Sequence, residues 1–276
     1  MNNARNGKKR FIYIAWIVLV MSIGIMLLSG FKLWETHQTY QIGDNSYKSL
    51  SDLVRPAGKP DTTAGATTPA TSANTATDKP GKTLNVEIPD MEIDFQALHS
   101  INPDSVAWLY SPDTVIDYPV VRATEYDYYL HRLPDGTYNA NGTLFIDYNW
   151  KGFSDKLTVI YGHNMKSGKM FGSLTNYKKQ AYFDEHPYLY LYAEDGSRYR
   201  IDLLYGCVIG AGQWRERAFM FDLNLESLIS YGAYNTTFNS PAKYTPGDQI
   251  VVLSTCSYEF DDARYVVMGI LQPEYK

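Results

Sequence analysis

Hydrophobic positions follow three different rhythms along the chain. Residues 11–31, FIYIAWIVLVMSIGIMLLSGF, contain no charge. About 20 apolar residues suffice for a helix to span a bilayer, and a helix apolar all round has no polar face to turn to water. A cleaved signal peptide has a shorter apolar region, about 7–15 residues, ending in a small-residue site. Leu28-Ser29-Gly30-Phe31 is not such a site. The pattern predicts an uncleaved membrane-spanning helix. Residues 32–55 mix apolar and polar positions and read as a helical stalk. Residues 56–82 have no large apolar position, and 21 of these 27 are Ala, Thr, Pro, Gly or Ser. Such a segment buries too little surface to offset its ordering entropy. It is predicted to be a disordered linker with a reach of about 30 Å.

From residue 83 to 276 the rhythm changes again, and this stretch is long enough for one core. Phe95, Leu98 and Ile101 recur at helical spacing and predict a short helix over 94–101. After Asn102-Pro103 come short runs rich in Val, Ile, Tyr and Leu, broken by Pro, Gly, Asn and Asp. They cover 106–110, 115–121, 143–147, 157–161, 188–193, 199–209, 249–253 and 265–271. Eight or so such runs predict a barrel or a sandwich of β-strands. Two helical insertions are expected, over 171–179 and 222–234, the second with Asp222 as N-cap.

Charge then sharpens the plan. Residues 1–32 hold Arg5, Lys8, Lys9, Arg10 and Lys32 and no acid. A basic cluster before a membrane span favours the cytoplasm, so residues 1–10 form a cytoplasmic tail and the rest lies outside. Residues 33–82 carry five charges of each sign, which leaves 15 basic and 25 acidic residues in 83–276. So acidic a body lacks the footprint that nucleic acid requires. Two cysteines exclude a disulfide-dense scaffold and a four-cysteine zinc site. No metal-ligand spacing, phosphate loop or cofactor motif appears.

Chemistry concentrates at two strand ends. Cys256 closes the apolar run 250–256, where a thiol is both held and reachable. A hairpin-like connection brings Arg264 back beside it, and a guanidinium there stabilises a thiolate or a developing oxyanion. His163 follows the apolar run 157–161 on a turn and suits the base or ion-pair mate of a thiol. Cys207 lies mid-strand among apolar residues and reads as an inert buried thiol; no disulfide is expected. The same residues also fit a plainer arrangement, with Cys256 packed, His163 capping its turn, and Arg264 paired to Glu259, Asp261 or Asp262.

Leu253-Ser254-Thr255-Cys256 resembles the T-L-x-T-C motif of sortases, the membrane-anchored cysteine transpeptidases of Gram-positive bacteria. Tyr161-Gly162-His163-Asn164-Met165 is similar to the region of that family's histidine, and Arg264 to its arginine. Residues 93–98, 101–104, 116–121, 127–131 and 170–174 resemble class B members in particular, as does the expected helix over 222–234, between the late barrel strands. Val252 departs from the motif, whose first position is usually Thr. The resemblance covers about 90–276 and implies a closed eight-stranded sortase-type β-barrel with an N-terminal helix and helical insertions, preceded by the transmembrane helix and needing no cofactor.

It also implies a reaction. Cys256 attacks the carbonyl of a Thr in a sorting signal near the C-terminus of a secreted protein, giving a thioacyl enzyme. His163 serves as acid and then base, and Arg264 holds the oxyanion. The acceptor is a lipid-linked peptidoglycan amine or a pilin Lys. Ser254 supports substrate or Arg264, Glu259 orients Arg264, and Thr255 and Asn164 support the site. Two rival readings are a papain-like cell-wall cysteine peptidase and a tethered, non-enzymatic surface binding module. In the former, the Cys opens a helix and precedes the His in sequence. Here His163 comes first and Cys256 follows a strand. In the latter, Cys256, His163 and Arg264 need not converge.

Overall fold

A computed structural model describes residues 2–55, 88–123, 125, 127–147, 149–214 and 225–274. The expected linker over 56–82 and the Asp222 cap lie outside the described residues. The chain divides into two compact units, 1–45 and 46–276. The first is helical, part of α1 (Asn2–Val54). Its apolar side chains, among them Ile14, Trp16, Ile17, Val20, Leu27 and Phe31, are exposed. This helix is long and apolar enough to cross a membrane.

The second unit is built on eight strands: β1 (Ser105–Tyr110), β2 (Asp117–Arg122), β3 (Leu144–Ile146), β4 (Leu157–Tyr161), β5 (Tyr188–Ala193), β6 (Arg198–Gly210), β7 (Ile250–Cys256) and β8 (Ala263–Pro273). They close into one barrel in the order β1-β2-β3-β4-β7-β8-β6-β5. This selects barrel over sandwich: β1 also pairs with β5, with Trp108 opposite Tyr192, so no sheet edge is left open. Two pairs are parallel, β2 with β3 and β4 with β7. β6 is long enough to serve both β5 and β8, and its register against β8 shifts between Leu203 and Tyr205. Such a bulge bends a strand so that it can turn a barrel corner.

The helices cover the barrel where strand patterns predict burial on both faces. In α2 (Phe95–Ile101), Asp94 caps the first turn by accepting from the Ala97 amide at 2.9 Å. Asn102 is extended, as expected of a residue before proline. Leu98 joins Leu50 and Val54 from the end of α1 in an apolar cluster over Trp108 and Tyr192. Hence β1 is buried on both sides, and residues 46–54 pack on the barrel. The expected helix over 171–179 is a 3₁₀ segment, Gly172–Lys178, followed by α3 (Gln180–Glu185). Lys179 is extended and divides them. Helix α4 (Leu225–Asn235) buries Leu228, Ile229 and Gly232.

Candidate active site

β7 and β8 form a hairpin with Cys256 and Arg264 facing each other across its mouth. Opposed residues of an antiparallel pair project to the same face, with Cβ atoms about 4.5–5.5 Å apart. The thiol and the guanidinium therefore share one side of the sheet. Both are partly exposed, and Cys256 is a free thiol. Among the described residues Arg264 forms no ion pair. Its Nη1 donates to the Ala263 carbonyl at 3.1 Å.

β4 flanks β7 on the other side, in a parallel ladder that runs to Tyr161 opposite Ser254. Three further bonds extend this zipper. The Gly162 amide donates to the Ser254 carbonyl at 3.2 Å, Thr255 Oγ1 donates to the Gly162 carbonyl at 2.8 Å, and Asn164 Nδ2 donates to the Cys256 carbonyl at 2.8 Å. His163 lies between Gly162 and Asn164 and is thereby bracketed at the level of Cys256. Gly162 is needed for close approach: a Cβ there would lie 2.4 Å from Leu144 Cδ2 and 2.7 Å from Phe171 Cδ2. The Phe171 amide donates to the His163 carbonyl at 2.9 Å and closes the turn.

The imidazole is held from a third direction. His163 Nε2 lies 2.6 Å from the carbonyl of Leu130, in the 3₁₀ turn Tyr128–His131. A carbonyl only accepts, so Nε2 carries the hydrogen and Nδ1 keeps its lone pair. The His131 ring sits 5.6 Å away, centroid to centroid. Burial pushes the His163 pKa down, and His131 adds to this; the bond to Leu130 opposes both without cancelling them. At neutral pH the resting imidazole is uncharged and ready to accept a proton at Nδ1.

Thr255 and Asn164 thus tie the two strand ends together. Ser254 is buried and joins the zipper through its carbonyl. Val252 is fully buried between Val159 and Met268, so an apolar side chain packs well there. Glu259 departs from expectation. It pairs with Lys178 and accepts from Ser257. The 3₁₀ segment brings Lys178 to the β7–β8 loop, with its ammonium 5.0 Å over the Tyr265 ring, and the carboxylate takes that cation instead of Arg264. Burial opposes the Glu259 charge, but Lys178 and Ser257 outweigh it and hold the pKa low.

The Leu130 carbonyl and the neighbouring His131 were not singled out from the sequence. A main-chain acceptor leaves no trace in side-chain pattern, and only the local Tyr-Tyr-Leu-His similarity marks the segment.

The barrel matches known proteins. No family model matches the chain. Over 193 residues it is 32% identical to sortase B of Listeria monocytogenes, covering 68% of this chain and 76% of the relative. The crystal structure of sortase B from B. anthracis superposes with a TM-score of 0.65 at 26% identity, covering 86% of this chain and 99% of that one. A Streptococcus pyogenes class B sortase involved in pilus biogenesis aligns with a TM-score of 0.56 at 28% identity, over 64% of this chain and 97% of that one. With the closed barrel and the strand-end cysteine already described, these likenesses establish that the chain belongs to the sortase B family and is a sortase-type cysteine transpeptidase.

Proposed function

We propose that Cys256, His163 and Arg264 carry out the transpeptidation, and that its substrates are secreted proteins bearing a C-terminal sorting signal. The observation that supports this most is the joining of three separate segments at one end of the barrel. Neutral His163 Nδ1 takes the Cys256 proton, and the thiolate attacks the carbonyl carbon of the signal's Thr. The carbonyl electron pair moves onto oxygen, where the Arg264 guanidinium meets the charge. When the tetrahedral species collapses, the C–N bond breaks, His163 returns its proton to the leaving amine, and a thioester remains on Cys256. A second amine then attacks the thioester, His163 takes its proton as base, and the thiol is regenerated.

A peptidoglycan amine is the proposed acceptor, because residues 11–31 would hold the barrel beside the membrane that carries lipid-linked wall precursors. The basic cluster in 1–10 supports a cytoplasmic N-terminus and an extracellular barrel, with the expected 32–55 stalk shortened to 32–45 because 46–54 pack on the barrel, 56–82 as linker and 83–276 as the rest of the catalytic domain. A pilin Lys is the alternative acceptor, supported by the pilus-related relative. A peptide-library cleavage assay on the full chain, with and without an added amine, tests the reading. Transfer to the amine with cleavage after Thr supports it. Cleavage elsewhere, or turnover by Cys256→Ala, contradicts it.

A further inference from the structure

The end of α1 reaches the catalytic histidine through a short chain of contacts. Tyr47 is buried at 6% exposure, its ring edge-on to Tyr118 at 5.1 Å. Its phenol donates to the Gly142 carbonyl, with Thr143 Oγ1 3.2 Å away. Burial holds the phenol pKa far above its usual value, so it remains an O–H donor. The residues it grips are fitted to the 3₁₀ turn Tyr128–His131. The Thr143 amide donates to the Tyr129 carbonyl at 2.9 Å, and Thr143 Oγ1 donates to the Arg132 carbonyl at 2.7 Å. Gly142 has φ of +61°, and a Cβ there would lie 2.5 Å from the Leu130 carbonyl oxygen. That oxygen is the one that accepts from His163 Nε2.

Holding the helix end in place does not account for this hydroxyl. Leu50 and Val54 seat the segment in the apolar cluster over Trp108, and Arg55 pairs with Asp117. The Tyr47 phenol instead binds the backbone on which the Leu130 carbonyl rests. We propose that Tyr47 is a positioning residue for the sortase reaction, fixing the orientation and tautomer of His163 through Gly142, Thr143 and the Leu130 carbonyl. One side chain of the N-terminal helix, Tyr47, then helps to position the histidine, while Leu50 and Val54 only seat the helix. The inference rests on His163 acting as acid and base. The titratable and charged groups around the relay include, among the described residues, His131 beside His163, Cys256 and Arg264 at the hairpin mouth, Tyr128 and Tyr129 in the turn with Arg132 over the first and Asp104 accepting from the second, and Asp135 and Tyr118 near Tyr47.

The test uses the full chain in detergent, with kcat and KM for a sorting peptide and an NMR titration of the His163 imidazole. Tyr47→Phe keeps the ring and removes the hydroxyl. Its kcat should fall about 10-fold with KM nearly unchanged. The His163 midpoint should move to lower pH, because the Leu130 bond that favours imidazolium loosens. Gly142→Ala, which displaces that carbonyl directly, should act in the same direction and more strongly. Val54→Ala, two turns along the helix, controls for a loosened helix end: it should lower Tm and leave kcat and the titration in place. The proposal is overturned if Tyr47→Phe leaves the His163 titration unchanged, or if Val54→Ala changes kcat and the titration as Tyr47→Phe does. The titration reads the relay whether or not His163 is catalytic; retained turnover in His163→Ala would instead remove the role assigned to the histidine.

Discussion

Cys207 and Cys256 are held against the same strand from opposite sides. On β8, Cys207 lies opposite Val266 and Cys256 opposite Arg264, two positions apart. Cys207 is in the middle of β6, fully buried among Val159, Leu204, Val252 and Met268. Burial raises its thiol pKa to about 12, and a thiol that stays protonated is a poor nucleophile. Cys256 ends its strand, partly exposed, across from a guanidinium that no carboxylate among the described residues neutralises. One strand therefore presents an apolar neighbour to the buried thiol and a cation to the proposed nucleophile.

Breaking the Cys256 side should have the largest effect. Cys256→Ala removes the only proposed nucleophile and should lower transpeptidation by more than about 1,000-fold; Cys207→Ala should keep nearly normal turnover. Arg264→Ala removes the charge facing Cys256 and should cost about 100- to 1,000-fold in kcat, the scale of one lost oxyanion donor, measured with a sorting peptide and an amine.

The histidine sharpens the contrast through pH. His163 has a pKa in the folded state below its ordinary 6.5. The unfolded chain therefore binds this proton first as pH falls. The stability linked to His163 is present above pH 6.5 and is lost as pH drops from there toward the folded value. His163→Ala should flatten the fall in Tm over that window, as read by thermal melts at stepped pH. On the inert side, Cys207→Ser places a hydroxyl among apolar neighbours and should cost about 1–3 kcal/mol in denaturant unfolding, with kcat almost unaffected. The smallest effect is expected from Lys178→Met. It frees Glu259 from a partly exposed pair worth about 1 kcal/mol or less, and should alter kcat/KM only a few-fold.

Much of this contrast was legible in the sequence. Apolar runs with turn residues between them located the strands, and 157–161 and 188–193 match their observed bounds. The run that ends in Cys256 also showed that this thiol sits at a strand end. Barrel closure was not legible from pattern, because Trp108 opposite Tyr192 is a pairing between distant segments with no local mark. Helix α3 was missed because Gln180-Ala181-Tyr182-Phe183-Asp184-Glu185 is too short to show a helical period. Glu259 lies nearer Arg264 in sequence than Lys178 does, and only the 3₁₀ segment reveals which cation it meets. The Leu130 carbonyl that holds His163 is main chain. Such an acceptor is set by tertiary placement and not by residue type.

The most direct measurement is mass spectrometry of the full chain mixed with a cleavable sorting peptide in the absence of amine. A thioacyl adduct should accumulate on Cys256 alone and disappear when an amine is added, while Cys207 stays unmodified. An adduct on Cys207, or peptide turnover with no adduct on Cys256, would contradict the account.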